Sequence, residues 1–337
     1  MAKLNTQYLG LELANPLVPS SSPLSRNIDT AKQLEDAGAS ALVMHSLFEE
    51  EIYCEEEHLL RFIHQQSIGY AEADSFRPVP ENYKGCLDNY LEQLSRLKSE
   101  LDIPIIASLN GVSLDGWVLH GKELQQAGAD ALELNVYYIA ASAEEKSDSV
   151  EGRYIELLQE LRKHVSIPIT MKLSSQFSSI AYFAKLLEQA GAGGLSLFNR
   201  FYLPDIDLET LQVKPSLSLS SSNESLLRIR WIAMLHGQVT LSLAATGGFH
   251  TVEDVLKALL AGADVTHMCS ELLQHGPGRI SDIIAELSTW LDEHEYESVE
   301  QLKGRISKQH AIDPAAYERA NYLKVIDSYS SSPGILK

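Results

Sequence analysis

Lys172 is the residue whose type and position point most directly to chemistry. It ends the apolar run Ile167-Pro168-Ile169-Thr170-Met171, where a charged side chain is costly unless it has a partner. Three roles fit such a lysine: binding an anion or electron-rich ring through its charge, forming a Schiff base after desolvation, or joining a structural ion pair. Asn135 and Asn199 follow neighbouring apolar runs, and their amides suit a flat heterocycle with amide and carbonyl edges. These neighbours favour the first role.

A second set of residues has the composition of a phosphate site. Thr246-Gly247-Gly248 and Cys269-Ser270 each follow a late apolar run. Glycine lets a backbone approach an anion closely, and backbone N–H groups at strand-to-helix turns bind phosphates. The alternative is an ordinary turn built on a glycine pair, with Cys269 as a small packing residue.

The apolar runs that precede these residues recur, with helical sequence between them. Pro104 and Asn135 are 31 residues apart, as are Pro168 and Asn199, and each interval has the length of one β-α-β unit. Eight candidate strands result, at residues 17–20, 41–45, 103–108, 131–135, 167–172, 194–199, 239–244 and 265–268. Such alternation predicts an α/β fold, the (β/α)8 TIM barrel, whose active sites lie at the carboxyl ends of the strands. A doubly wound sheet is disfavoured, because no G-x-G-x-x-G follows the first strand.

The other strand ends supply further polar candidates for the same face of the barrel. Ser20 ends the first candidate strand and Ser21 follows it, and His45-Ser46 closes the second strand. Strand ends also meet solvent, so each of these residues has an ordinary surface role as its alternative. For His45 that alternative is a half-buried, hydrogen-bonded histidine.

Composition limits the classes of function. The 337 residues carry 27 Lys and Arg against 46 Asp and Glu, a net charge of −19 that disfavours nucleic acid and anionic membranes as partners. An anionic ligand in a local pocket remains compatible with this charge. Three scattered cysteines without a C-x-x-C pair, no signal-peptide pattern and no transmembrane run predict a cytoplasmic protein with no metal site.

One domain accounts for the whole chain. We predict a single barrel over residues 1–337, with residues 47–90 as a long insertion after the second strand and residues 294–337 as a polar tail.

Several fragments, in order, resemble the class 1 dihydroorotate dehydrogenases. They are Asn15-Pro16-Leu17-Val18, Glu133-Leu134-Asn135, Pro168-Ile169-Thr170-Met171-Lys172-Leu173, Asn199, Ala245-Thr246-Gly247-Gly248 and Gly276-Pro277. The resemblance runs from about residue 4 to 310, and the residues around Ser46 and Asn199 look more like the dihydroorotate dehydrogenase-like branch.

The resemblance implies an FMN-binding barrel, a homodimer and a role for each candidate. Ser20, Ser21, His45 and Ser46 would lie along the flavin, and Asn135 and Lys172 would face its ring. Thr246, Gly247, Gly248, Cys269 and Ser270 would hold the phosphate, and Asn135 and Asn199 would hydrogen-bond the substrate. Hydrogen would leave a substrate carbon as hydride while a base takes the neighbouring proton.

Tyr138 marks the main departure from the family, which has a Cys as the base at this position. A phenol, with a pKa near ~10 against ~8.5 for a thiol, is a poorer base and more readily donates a proton, which suits reduction of a C=C bond. We therefore predict an FMN-dependent oxidoreductase acting on CH–CH bonds, with Tyr138 and Lys172 catalytic. It resembles dihydroorotate dehydrogenase of pyrimidine biosynthesis, and its substrate is a pyrimidine or another unsaturated or dihydro compound. The alternatives are a Schiff-base aldolase-type lyase using Lys172 and a non-catalytic flavin-binding barrel.

Overall fold

The eight predicted strands are present, and they form one parallel sheet that curls into a barrel. The computed structural model describes residues 2–55, 57, 84–111, 114–201, 203–319 and 322–327. The strands are β1 Thr6–Tyr8, β2 Leu11–Leu13, β3 Leu17–Pro19, β4 Leu42–Phe48, β5 Ile105–Gly111, β6 Ala131–Val136, β7 Ile169–Leu173, β8 Gly194–Leu197, β9 Asp205–Asp207, β10 Gln212–Lys214, β11 Ser242–Thr246 and β12 Val265–Met268. The barrel sheet has the order β3-β12-β11-β8-β7-β6-β5-β4, so the predicted (β/α)8 fold is confirmed.

Helices follow the strands and cover the outside of the barrel. They are α1 Ile28–Asp36, α2 Cys86–Glu100, α3 Leu114–Gln126, α4 Ser147–Arg162, α5 Ile180–Ala190, α6 Ser225–Leu235, α7 Val252–Ala261, α8 Ser270–His275, α9 Arg279–Glu293, α10 Val299–Leu302, α11 Pro314–Glu318 and α12 Tyr322–Asp327. The limits of α7 follow from local chemistry. Thr251 and Asp254 form the capping box that the sequence indicates, and Gly262 ends the helix with a φ of 115°.

The barrel closes through contacts between its first two strands. Ser40, directly before β4, donates both its backbone N–H, at 3.1 Å, and its hydroxyl, at 2.9 Å, to the carbonyl of Leu17 in β3. At the opposite end of the same strands, the hydroxyls of Ser21 and Ser46 lie 3.1 Å apart. All residues of β5, β6 and β7 are buried, as expected for strands between a filled interior and a layer of helices.

The amino-terminal hairpin β1–β2 plugs the lower end of the barrel. Tyr8 is fully buried, and its hydroxyl donates to Thr170 Oγ1 at 3.3 Å inside the barrel. Tyr8 belongs to an apolar cluster with inward-facing strand residues such as Val18, Val43 and Val265. The plug makes the lower half of the interior apolar and leaves the carboxyl ends of the strands for polar side chains.

The predicted insertion and tail are described in part. Within 47–90, β4 continues to Phe48 and α2 begins at Cys86, while residues 56 and 58–83 lie outside the described residues. The tail contains α10, α11 and α12, and it joins the body where Val299 donates its N–H to the carbonyl of Lys3. Across the described residues, no helix combines the length and apolarity needed to span a membrane.

Phe183 tests the packing between the barrel and its helices. Its ring is fully buried on α5 and lies 4.5 Å from the Phe177 ring and 5.6 Å from the Tyr154 ring. Phe183→Ala should lower the free energy of unfolding by about 3–5 kcal/mol, since it leaves a cavity, as measured by urea denaturation. The neighbouring Tyr182 is 61% exposed, so Tyr182→Ala should change it by less than about 0.5 kcal/mol. Equal losses in the two variants would contradict this packing.

Candidate active site at the carboxyl ends of the strands

A cavity of about 600 Å³ opens at the carboxyl ends of the barrel strands. Twelve of the thirteen predicted site residues line it: Ser20, Ser21, His45, Ser46, Asn135, Lys172, Asn199, Thr246, Gly247, Gly248, Cys269 and Ser270. Tyr138, the thirteenth, is not among the described residues of the lining. Residues from separate parts of the chain therefore meet as the barrel topology requires.

Lys172 is held at the floor of the cavity by a buried carboxylate. Its Nζ donates to Glu133 Oε1 at 3.1 Å, and the Glu133 side chain is inaccessible to solvent. Burial alone would raise the pKa of Glu133, but the charge and the hydrogen bond of Lys172 hold it below its usual value. Glu133 and Asn135 are two residues apart on β6, so both side chains face the interior, and Asn135 is in register with Lys172. The ammonium of Lys172 is thus fixed beside the Asn135 amide.

The two predicted asparagines form a direct pair next to Lys172. Asn199 Nδ2 donates to Asn135 Oδ1 at 2.6 Å. Within this pair, the amino group of Asn135 remains as a donor and the carbonyl oxygen of Asn199 remains as an acceptor. An amide edge of this composition matches a ring that carries both N–H and C=O groups.

Below Lys172, His267 adds an uncharged polar group to the barrel interior. Burial lowers the pKa of His267 to about 4, so the ring is neutral at neutral pH. Its Nδ1 lies 3.7 Å from Glu133 Oε2 and 3.5 Å from Ser196 Oγ, while its buried Nε2 has no hydrogen-bond partner within the described residues. His267 lines the cavity although the sequence analysis did not select it.

His45 and the neighbouring serines form a neutral polar wall. Burial and the charge of Arg26 lower the pKa of His45 to about 4, and its Nδ1 lies 3.2 Å from Ser25 Oγ. Ser46 Oγ lies 2.9 Å from Ser108 Oγ, which continues the contact from Ser21 into the barrel. This wall offers hydroxyl groups without net charge.

The glycine pair lies at the other end of the cavity, and the structure explains Gly248 through its close packing. Gly248 has a φ of 91°, and a Cβ atom there would lie 2.4 Å from the backbone nitrogen of Ser225. Ser220, from the segment before α6, and Ser270 also line this end. Gly247, Gly248, Ser220 and Ser270 therefore bring backbone and hydroxyl groups to one corner of the cavity.

Arg228 places a buried cation behind the glycine pair, and the sequence analysis missed it. Its Nε donates to the carbonyl of Thr246 at 3.2 Å and its Nη1 to that of Glu224 at 2.8 Å. Burial lowers the pKa of the guanidinium, which nevertheless keeps its charge at neutral pH. Arg228 lies on α6 without a recognisable motif, so only the folded structure brings it to this corner.

Tyr138 points its hydroxyl at a carboxylate. The hydroxyl donates to Glu145 Oε2 at 2.6 Å, Arg153 lies 4.4 Å above the ring, and Arg153 also pairs with Glu145 at 2.6 Å. The preceding residue, Tyr137, lines the cavity and packs against Phe201. In this conformation the Tyr138 hydroxyl is hydrogen-bonded to Glu145, and Tyr138 is not among the described lining residues of the cavity.

Comparison with known proteins points to one family. A family model described as dihydroorotate dehydrogenase matches residues 73–291. The chain is 26% identical over 314 residues to the catalytic subunit of dihydroorotate dehydrogenase B (NAD(+)) of Thermoplasma acidophilum, covering 90% of this chain and 99% of the relative. It is 28% identical over 317 residues to dihydroorotate dehydrogenase A (fumarate) of Lactobacillus helveticus, covering 91% and 99%. A match at 24% over 325 residues is the chloroplastic dihydropyrimidine dehydrogenase (NADP(+)) of Arabidopsis thaliana, covering 89% and 76%.

Removing the Lys172 charge tests how much the pair with Glu133 contributes to the free energy of unfolding at each pH. Lys172→Met should lower the free energy of unfolding at neutral pH by about 3–5 kcal/mol, because Glu133 is left ionised without its partner. In the wild type the lowered pKa of Glu133 contributes stability above about pH 4.3, and this contribution is lost as the pH falls. In the variant burial raises this pKa, so the difference between the two proteins should narrow towards pH 4 in urea denaturation.

The Lys98–Asp130 pair supplies a matched control, because its atoms are 2.7 Å apart but the side chains are about 30% exposed. Lys98→Met should cost less than about 1 kcal/mol. A Lys172→Met variant with the same small loss at every pH would show that Glu133 does not depend on Lys172.

Proposed function

This chain belongs to the dihydroorotate dehydrogenase family, and from that premise we propose that its cavity binds FMN and a small ring substrate whose carbon–carbon bond is oxidised or reduced. The family consists of FMN-dependent oxidoreductases acting on CH–CH bonds, and this chain is one of them. The observation that carries the proposal is the fixed Lys172 ammonium beside the paired amides of Asn135 and Asn199.

The cavity fits FMN in size and in the chemistry of its donors. A volume of about 600 Å³ lies within the ~300–1,000 Å³ typical of cofactor and ligand sites. Lys172 supplies one cation for an electron-rich ring, and the serine wall supplies hydroxyls along it. The corner of Gly247, Gly248, Cys269 and Ser270 would hold the phosphate, with the charge of Arg228 behind it.

FMN, when bound, supplies hydride acceptance or donation. Lys172 stabilises negative charge that develops next to it, and the low-polarity barrel below the cavity keeps this interaction strong. Asn135 and Asn199 orient a substrate ring through their amide edges. The ion pair between Lys172 and Glu133 opposes the neutral amine that a Schiff base needs, so the aldolase-type alternative is disfavoured.

Tyr138 is the proposed proton-transfer group, with Glu145 as its hydrogen-bond partner. Its hydroxyl must turn from Glu145 towards the cavity to reach a substrate, since the two groups are 2.6 Å apart in this structure. A phenol donates a proton to carbon more readily than it removes one at neutral pH. We therefore propose that the substrate differs from dihydroorotate and that the natural direction is reduction of a C=C bond in a pyrimidine or related compound.

The absorption spectrum of the purified protein tests the cofactor and the base together. Protein mixed with FMN should become yellow, and anaerobic dihydroorotate should bleach it slowly. Tyr138→Cys should speed the bleaching at least about tenfold, because a thiol ionises about 1.5 pKa units below a phenol. Tyr138→Phe should abolish the bleaching without changing FMN binding.

Tyr137→Phe is the control, since it removes the neighbouring hydroxyl and should leave the rate within about twofold. Protein that rejects FMN would refute the cofactor assignment. Wild-type and Tyr138→Phe proteins that bleach at the same rate would remove Tyr138 from the reaction. FMN binding without reaction across a panel of ene and dihydropyrimidine compounds would favour the non-catalytic alternative.

A homodimer is the proposed assembly, supported by an exposed apolar hairpin. Five side chains at and beside the β9–β10 pair are more than half exposed: Leu203, Ile206, Leu208, Leu211 and Val213. Exposed apolar clusters of this kind mark protein–protein contacts, and two-fold dimers are the commonest assembly. We further propose a cytoplasmic location and no nucleic-acid partner, on the charge of −19 and the free cysteines.

Light scattering after size exclusion tests the dimer. The wild type should have twice the mass of one chain. Ile206 and Val213 are direct cross-strand neighbours, so Ile206→Glu combined with Val213→Glu should convert the protein to a monomer. Ile312→Glu is the control, because Ile312 is fully exposed outside this hairpin and should leave the dimer intact. A monomeric wild type, or a double variant that stays dimeric, would exclude this hairpin as the interface.

A further inference from the structure

A chain of hydrogen bonds runs from the phosphate corner of the cavity to a carboxylate behind it. Ser270 Oγ lies 2.9 Å from Ser220 Oγ, and Ser220 Oγ lies 3.0 Å from His250 Nε2. On the far side of the ring, His250 Nδ1 lies 3.0 Å from Glu271 Oε2. Ser220 and Ser270 line the cavity, whereas His250 and Glu271 are buried behind them.

Glu271 fixes which nitrogen of His250 carries hydrogen. Burial alone would raise the pKa of this carboxyl, but its hydrogen bonds with His250 and Arg279 hold it below the usual value. The ionised carboxylate only accepts, so His250 Nδ1 must donate to it. His250 Nε2 then accepts a hydrogen bond when the ring is neutral and donates one when the ring is protonated.

The charged groups around His250 come from three helices. Glu271 and His275 lie on α8, Arg279 begins α9, and Asp254 on α7 accepts the backbone N–H of His250 at 3.1 Å. Glu253, also on α7, lies within the field of Arg279. Glu271 is the one of these groups that contacts the ring nitrogen.

With His250 neutral, the two serine hydroxyls use up their hydrogens within the chain. In this structure Ser220 donates its hydroxyl hydrogen to Ser270 at 2.9 Å. When His250 is neutral, that hydrogen must turn to His250 Nε2, and the two serine oxygens then stay hydrogen-bonded only if Ser270 turns its own hydrogen to Ser220. Ser270 Oγ also accepts the backbone N–H of Ser220 at 3.0 Å. Ser270 has no hydrogen left for a ligand unless the bond to Ser220 breaks.

With His250 protonated, the direction of the whole chain reverses. His250 Nε2 donates to Ser220, Ser220 donates to Ser270, and Ser270 already accepts the backbone N–H. The hydrogen of Ser270 is then free to point into the cavity, towards an anion. An oxyanion at this corner would therefore gain one charge-assisted donor in the protonated state.

We propose that His250 is a positioning residue that couples its own protonation to phosphate binding at Ser270, with Glu271 as the group that makes protonation favourable. The inference rests on the FMN site proposed above, because the phosphate of FMN is the anion. The coupling is reciprocal: a bound phosphate favours protonated His250, and protonated His250 strengthens phosphate binding.

The pH dependence of flavin affinity tests this coupling. Fluorescence quenching gives the dissociation constants of FMN and of riboflavin, which lacks the phosphate, between about pH 5 and pH 8. His250→Gln should weaken FMN binding about tenfold at the acid end and little at the alkaline end. The phosphate of FMN itself titrates near pH 6. This titration affects the variant and the wild type equally, so it cancels from the ratio of their FMN dissociation constants. Riboflavin affinity should be the same for both proteins at every pH.

Glu271→Gln separates the relay from simple packing. The amide oxygen can still accept from His250 Nδ1, but the negative charge that favours the protonated ring is gone. The fall of FMN affinity with rising pH should therefore begin at lower pH than in the wild type. His164→Gln is the matched control, because His164 pairs with Glu160 at the surface and should change neither flavin.

Each outcome separates this inference from the proposed function. Two results would overturn the relay and leave the FMN site standing. One is a ratio of the FMN dissociation constants of His250→Gln and wild type that does not change with pH. The other is an FMN affinity of Glu271→Gln that falls at the same pH as that of the wild type. Failure of the wild type to bind FMN at any pH would overturn the site itself. If His250→Gln does not fold, Glu271→Gln and the comparison of FMN with riboflavin on the wild type decide the question.

Discussion

The buried ion pair between Glu133 and Lys172 marks the level at which the barrel interior changes from apolar packing to a polar cavity. Desolvating two charges costs several kcal/mol per ion, and the attraction across 3.1 Å offsets that cost only if both groups stay in place. Below the pair, the Tyr8 hairpin and aliphatic strand residues fill the barrel. Above it, the strand ends leave a cavity with polar walls. The pair therefore holds one cation at a fixed point of the cavity floor.

The neutral state of the surrounding histidines follows from the same burial. His45 and His267 both have a pKa near 4 because burial disfavours their charged forms, and so neither ring competes with Lys172 for charge at neutral pH. Their nitrogens act as ordinary hydrogen-bonding groups. This leaves Lys172 as the charged group fixed at the cavity floor, with Arg228 behind the opposite corner.

The sequence was sufficient to predict the barrel and twelve of the residues that line the cavity, because both depend on order along the chain. The equal spacing of Asn135 and Asn199 from their prolines placed equivalent residues at equivalent strand ends, where the structure pairs them directly. The hairpins β1–β2 and β9–β10 were missed, since strands of three residues carry too little periodicity to detect. The seventh barrel strand was predicted at 239–244 but is Ser242–Thr246, so Thr246 belongs to the strand itself.

The direction in which a side chain points could not be predicted from the sequence. Tyr138 was placed at the base position by its place in the motif, yet its hydroxyl bonds to Glu145, seven residues later in the chain. Ser220, His250 and Glu271 come from three segments and share no spacing, so no pattern could have joined them. Arg228 was likewise missed, because an arginine on a helix outside the barrel ordinarily faces solvent.

The cations around the cavity are each positioned by a carboxylate, so an anion bound here meets fixed groups and little excess positive charge. Lys172 pairs with Glu133, Arg200 with Glu224, and Arg279 with Glu271, so each cation is positioned but its charge is largely balanced. At the glycine corner, the groups that face the cavity are neutral donors, the hydroxyls and backbone N–H groups, and the Arg228 guanidinium lies behind them. Neutral donors are few and directional, and a single reversed hydroxyl changes their number by one. Under the proposed coupling, the protonation of one buried histidine would therefore act on this corner more directly than the net charge of −19 spread over the surface.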